Sequence, residues 1–147
     1  MITRIICLFL MATTPVAAQD AGMTYAQFIM SGPGILSESE WRDLTGGRTV
    51  LYRDGMKGGP AIGREYYPTD SNLVYFLNTR GQCFAGEWTF KNRAFCFDWG
   101  DDAPSCFYHK RSDGDIYTVV ADPNNFDPEA EIQIIEDIID APFQCAP

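Results

Sequence analysis

Short runs of hydrophobic and aromatic residues, separated by Gly, Pro, Asn and Asp, fill the chain between Arg48 and Asp122. This pattern predicts a mainly β domain, an antiparallel meander of about seven strands that forms a small barrel or sandwich. The domain, with a short helix before it, is expected to span 37–122. The predicted strands are 49–53, 62–67, 72–77, 82–90, 93–99, 105–111 and 115–121.

Two turns between the later strands allow the register to be predicted. If Lys91-Asn92 is a two-residue hairpin turn, Phe84 lies opposite Trp99 and Trp88 lies opposite Phe95. Because side chains alternate along a strand, these aromatic residues then share one face of the sheet.

Asp113-Gly114 is a favoured type I′ pair, and as a two-residue turn it places His109 opposite Thr118. If Cys96 also lies opposite Cys106, the three strands together form one aromatic layer. A slip of one residue would scatter this layer over both faces. The layer consists of Phe84, Trp88, Phe95, Phe97, Trp99 and Phe107.

A short helix is predicted immediately before the strands. Ser37 and Glu40 have the spacing of a capping box, in which each side chain binds the backbone N–H of the other residue. Trp41 and Leu44 are three positions apart, so they share a face that should cover apolar residues. Gly46-Gly47 is expected to end the helix.

The acidic segment 123–147 is ambiguous between helix and strand. Ile132, Ile135 and Ile139 are spaced three and four apart, which gives a helix one apolar stripe. The alternative is a strand over 132–135, favoured by the isoleucines. The helix is the preferred prediction for this segment.

The N-terminal residues have the layout of a secretory signal. Arg4 is followed by the apolar run Ile5–Ala12, and Val16-Ala17-Ala18 precedes a predicted cleavage site. The run is too short to span a membrane. Residues 1–18 are therefore predicted to be a signal peptide and 19–36 a flexible lead-in, and the protein is expected to be periplasmic or secreted.

Charge and cysteine content narrow the classes of function. The formal net charge of −9 argues against nucleic acid as a partner. Four cysteines follow the signal, an even number that predicts disulfides in an exported domain. The register pairs Cys96 with Cys106, which leaves Cys83 to pair with Cys145 and tie the C-terminal segment to the sheet. The chain has no pair of cysteines with the C-x-x-C spacing that zinc sites prefer. No cofactor or metal is predicted.

Several short motifs occur along the central part of the chain: Leu44-Thr45-Gly46, Glu65-Tyr66-Tyr67-Pro68, Gly86-Glu87-Trp88, Cys96-Phe97, Cys106-Phe107 and Gly114-Asp115-Ile116-Tyr117. They resemble motifs of a group of small exported Gram-negative bacterial proteins with an uncharacterised β domain. The resemblance covers roughly the central half of the chain. It implies a periplasmic or secreted β domain, supports the Cys96–Cys106 pairing, and transfers no catalytic residue.

The sequence contains no recognisable catalytic set. His109 is the sole histidine, and no Gly-x-Ser-x-Gly motif is present. The register places His109 at the rim of the aromatic layer with Arg93 and Arg111, a candidate pocket mouth. Glu87 and Asp98 share the opposite face, where charged residues of a half-solvated sheet belong.

The sequence therefore predicts an exported, non-enzymatic binding or interaction module, monomeric and without a membrane span. Its partner is expected to be an unidentified protein or a small apolar ligand. Two alternatives stay open: a hydrolase acting on envelope polymers, and a structural envelope accessory protein. Whether the aromatic layer fills a core or lines a pocket also stays open.

Overall fold

A computed structural model describes residues 33–55, 58–100, 103–121 and 132–143. One helix, α1 (Glu38–Thr45), precedes eight strands that form a closed antiparallel barrel in chain order. The mainly β fold and the small barrel are confirmed, with one strand more than predicted. The strands are β1 (Arg48–Asp54), β2 (Ala61–Tyr67), β3 (Leu73–Asn78), β4 (Cys83–Lys91), β5 (Ala94–Asp98), β6 (Ser105–Ser112), β7 (Asp115–Val120) and β8 (Gln133–Ile139).

The predicted helix and its capping box are confirmed. The backbone N–H of Glu40 donates to Ser37 Oγ at 3.3 Å, and that of Ser37 donates to Glu40 Oε2 at 2.8 Å. A helix this short is marginal by itself, so it needs tertiary packing. Trp41 provides that packing: its side chain is 0% exposed within the barrel core, and Leu44 lies partly buried against the same core.

The β4–β5 turn differs from the prediction by one position. Lys91 pairs with Ala94, so the turn residues are Asn92 and Arg93, and Trp88 lies opposite Phe97. A type I′ turn needs positive φ at both central residues, which Asn92 (52°) and Arg93 (67°) adopt. The register therefore shifts by two residues. An even shift keeps every side chain on its predicted face.

The β6–β7 turn and the cross-strand disulfide are confirmed. Asp113 and Gly114 both have positive φ, and His109 lies opposite Thr118. Cys96 lies opposite Cys106, and the two are joined by a disulfide.

Cys83 does not lie opposite Gly100 as predicted. The β4–β5 ladder ends at the pair Glu87 and Asp98, and Cys83 lies opposite Leu77 of β3 instead. Its predicted partner Cys145 is outside the described residues. The Cys83–Cys145 pairing therefore stays a prediction.

The preferred prediction for the C-terminal segment is wrong: Gln133–Ile139 is strand β8, not a helix. This strand pairs with β1 on one side and with β7 on the other, and so closes the barrel. Without it two strand edges would stay unpaired, which is unfavourable. Ile134 and Ile135 are buried on opposite faces of the strand, where β-branched residues pack well.

Residues 34–36, assigned to the lead-in by the sequence, are hydrogen-bonded to β6. The N–H of Leu36 donates to the carbonyl of His109, and the N–H of Arg111 donates to the carbonyl of Gly34, both at 2.8 Å. The rest of the lead-in and the predicted signal peptide lie outside the described residues. Among the residues described, no helix has the length and hydrophobicity needed to cross a membrane.

The helix α1 covers one end of the barrel, called here the capped end. Trp41 lies among inward-facing side chains of β2, β5 and β6. Its ring makes aromatic contacts with Tyr67, Phe95 and His109 at centroid distances of 5.5, 5.6 and 4.2 Å. The helix thus places a tryptophan ring inside the capped end of the barrel.

Candidate functional site

A cavity of about 190 Å³ lies inside the barrel towards the end away from α1, called here the cavity end. One side is the aromatic wall, formed by Phe76, Phe97, Trp99 and Phe107. The polar lining consists of Tyr52, Glu65, Ser105, His109, Thr118 and Gln133. The cavity therefore combines apolar rings with a small set of hydrogen-bonding groups.

Two inward-facing glycines allow the aromatic wall to lie close to the strands. A Cβ atom at Gly63 would lie 2.5 Å from Phe76 Cε2, and one at Gly86 would lie 2.6 Å from Trp99 Cε3. Such distances do not occur between real atoms, so any other residue would push these rings inward. The glycines thus let the rings lie against the strands, which leaves the interior open.

A β-bulge adds a further residue to the lining. Tyr52 pairs with Gly63 and Arg53 pairs with Ala61, which leaves Ile62 without a partner on β1. Bulges at barrel rims redirect side chains. Ile62 lines the cavity as a result.

Glu65 is the acidic group of the cavity lining. It lies opposite Val50 of β1 and Phe76 of β3, both of which face the interior. The Tyr67 hydroxyl donates to Glu65 Oε2 at 2.5 Å, and the Tyr52 hydroxyl lies 3.3 Å from the Tyr67 hydroxyl. Burial raises the pKa of Glu65, although hydrogen bonds from both tyrosines oppose that rise.

The two tyrosines are hydrogen-bond donors rather than anions. Burial, together with the neighbouring charge of Glu65, holds the pKa of Tyr52 and of Tyr67 well above the ordinary value. In the part of the chain that the structure describes, the ion pairs involve other carboxylates, those of Glu38, Asp140 and Glu136. Glu65 is thus held by neutral hydroxyl groups.

The prediction that His109 lies at a rim is wrong, since its side chain is only 1% exposed. The imidazole stacks on Trp41 with an interplanar angle of 11° and contacts Phe95 at a centroid distance of 4.6 Å. Burial lowers its pKa to about 3, so the ring is neutral near pH 7. Its Nδ1 atom is buried without a hydrogen-bond partner in the described structure.

Arg93 and Arg111 do not join His109 at a pocket mouth. Both are exposed, Arg93 in the β4–β5 turn and Arg111 near the end of β6, and neither lines the cavity. The sequence predicts that this end of the sheet meets water. Trp41 closes it, and His109 is enclosed while the arginines stay outside.

The predicted aromatic layer is divided between core and cavity. Trp88 and Phe95 are buried in the core, whereas Phe97, Trp99 and Phe107 belong to the aromatic wall. The sixth member is Phe84, which is 41% exposed and whose ring lies 6.3 Å from that of Phe76. Both readings of the layer, filled core and pocket lining, therefore hold for different members.

Sequence reasoning missed Glu65, Tyr52, Phe76 and Gln133. Glu65 alternates with Gly63 and Tyr67 along β2, so a register for β1 and β2 would have placed it inside the barrel. The connection between these strands is too long to fix that register. Gln133, hydrogen-bonded to Thr118 at 3.3 Å, lies on the strand that was predicted to be a helix.

Other candidate chemistry lies on the surface. Glu87 and Asp98 face each other across β4 and β5, and both are exposed, on the face opposite the aromatic layer as predicted. Within the described ranges, no group of three or more His, Cys, Asp or Glu side chains is placed to hold a metal ion.

The chain matches no protein-family model, no curated protein and no solved structure. The resemblance to exported Gram-negative proteins stays a prediction.

Proposed function

We propose that the protein is an exported, non-enzymatic binding protein that holds one small molecule inside its barrel. The observation that carries this proposal is the cavity, in which an aromatic wall faces a few interior polar groups. Small-molecule sites are typically concave and mostly apolar, with a few polar groups that fix orientation. An eight-stranded barrel has room for one such ligand.

The cavity volume limits the size of the ligand. An apolar cavity of about 150 Å³ in another protein is large enough for benzene. The cavity here measures about 190 Å³. It therefore suits a single ring with a short polar arm.

An acid–base enzyme is the second candidate, because Glu65 and His109 line the same cavity. A buried carboxyl with a raised pKa is a frequent general acid or base. Binding is preferred because Nδ1 of His109 is buried without a hydrogen-bond partner in the described structure. The two candidates differ in whether a bound molecule is converted.

A thermal-shift and native-mass screen of single-ring compounds tests the proposal. A compound at about 100 times its Kd should stabilise the fold by about 2.7 kcal/mol and raise the melting temperature. Thr118→Met, which places a longer side chain in the cavity, should abolish the shift. Glu87→Gln, on the outer surface, should keep it.

Three results would count against the proposal. Conversion of a bound compound, detected by mass spectrometry, would favour the enzyme. A shift that persists in a folded Thr118→Met variant would place binding outside the cavity. If no compound in a broad screen binds the wild type, the proposal is wrong.

A further inference from the structure

The geometry points to a small organic cation as the ligand, a single-ring amine whose ammonium group pairs with Glu65 while its ring lies against the aromatic wall. This inference rests on the proposed binding function and specifies the chemistry of the same cavity. Three features support it: the charge balance of the cavity, the arrangement of its aromatic rings, and the neutrality of its other polar groups.

The first feature is the Glu65 carboxylate, whose hydrogen bond, among the described residues, comes from a tyrosine hydroxyl rather than from a cation. Oε2 of Glu65 accepts a hydrogen bond from the Tyr67 hydroxyl, and the carboxylate lines the cavity that holds the aromatic wall. In the described structure, the arginine ion pairs use carboxylates other than Glu65. Glu65 is partly buried, and a carboxylate that is partly removed from water is stabilised by a cation beside it, as a bound ammonium group would provide.

The second feature is the aromatic wall. The rings of Phe97 and Trp99 lie 6.2 Å apart and nearly parallel, and the ring of Phe76 lies 6.0 Å from that of Trp99. Ring faces attract cations, most strongly in desolvated sites. The wall therefore suits an amine, whose ring and charge can both contact aromatic surface.

The third feature is that the other titratable groups facing Glu65 are uncharged near pH 7. Tyr52 from β1 and Tyr67 from β2 are neutral because burial holds each pKa well above its ordinary value. His109 from β6 is neutral because burial lowers its pKa to about 3. Among the described lining residues, Glu65 is thus the group that can supply a negative charge, and the acidic chain as a whole attracts cations.

Matched probes of one shape test this inference by calorimetry. Phenethylamine, 2-phenylethanol and phenylacetate are cationic, neutral and anionic near pH 7. The wild-type protein should bind the amine about tenfold or more tightly than the alcohol, and phenylacetate most weakly. Glu65→Gln should reduce amine affinity to about that of the alcohol and leave alcohol binding unchanged. Glu87→Gln, on the outer surface, should change neither.

The pH dependence supplies a second measurement on the wild type, which serves if Glu65→Gln does not fold. Burial raises the pKa of Glu65 from 4.5, so protonation and loss of amine affinity should begin above that value as pH falls. Alcohol binding should not follow the same curve.

Three outcomes would overturn the inference. Equal affinity for amine and alcohol would show that the ligand need not be a cation, while the proposed binding in the cavity would still stand. Amine binding that persists in a folded Glu65→Gln variant would place the charge contact elsewhere. Failure of all three probes would also reject the amine, and the proposed function would then rest on the broader screen alone.

Discussion

The two ends of this barrel are built from the same strands, but one encloses packed side chains and the other encloses a cavity. At the capped end, Trp41, Val50 and Phe95 are fully buried and pack in one core cluster. At the cavity end, Phe76 and Trp99 keep partial exposure around a cavity of about 190 Å³.

The difference does not come from strand pattern, because inward-facing aromatic residues occur at both ends. It comes from two additions to that pattern. At one end, a helix inserts a tryptophan into the barrel. At the other end, glycines on β2 and β4 let aromatic rings lie against the strands. An aromatic face on a closed sheet therefore becomes core or pocket according to its neighbours.

The largest expected effect tests the capped end with a matched pair of tryptophans. Trp41→Ala should lower the free energy of unfolding by about 3–5 kcal/mol, because it removes a fully buried ring. Trp99→Ala, at the cavity end, should cost less than half as much, since part of its ring already faces the cavity. Urea unfolding measures both. Equal losses would mean that the two ends are packed alike.

The pH dependence of stability is the next largest effect. His109 stays neutral in the fold to about pH 3, whereas the unfolded chain takes up a proton below about 6.5. The unfolded state therefore binds more protons in this window, and the free energy of unfolding falls as pH falls, by at most about 1.4 kcal/mol per pH unit. Glu65 has a raised pKa and acts in the opposite direction, because its protonation on acidification relieves a buried charge.

His109→Phe separates the two contributions. Without the imidazole, the loss of stability between about pH 6.5 and 3 should shrink or reverse. The phenyl ring should retain the stack on Trp41 and remove the unpaired Nδ1 atom. Urea titrations at several pH values measure the slope for both proteins. An unchanged slope would show that His109 is not the titrating group.

The smallest expected effect concerns the outer limit of the cavity end. Phe84 is 41% exposed and contacts Phe76 from outside the cavity lining. Phe84→Ala should therefore lower the free energy of unfolding by about 1 kcal/mol or less. A melting curve suffices to measure it. A loss comparable to that of Trp41→Ala would show that the packed core extends further than the structure indicates.

Features set by local chemistry could be predicted from the sequence. The capping box of Ser37 and Glu40, the Asp113-Gly114 turn, and the Cys96–Cys106 bond each depend on residues close in sequence or on one hairpin. The adjacent turn was misplaced by one position because Lys91-Asn92 and Asn92-Arg93 both contain an asparagine that accepts positive φ. That error did not change the face of the sheet on which each side chain lies.

Features set by distant partners could not be predicted. The isoleucines of β8 fit either a helix or a strand, and the two neighbouring strand edges decide in favour of the strand. His109 was placed at a rim because nothing in its own strand reveals that Trp41 covers it. Glu65 was missed for a similar reason, since its orientation depends on a pairing across a long connection.

The closing contact of the barrel also has a kinetic consequence. Thr49 at the start of β1 pairs with Ile139 at the end of β8, so the ring of strands joins residues from opposite ends of the described barrel. Such non-local pairing slows folding, because loop closure must precede the contacts that reward it. A nascent chain cannot complete this barrel until β8 has been synthesised. The folding chain therefore passes through a stage in which β8 is not yet paired with β1 and β7.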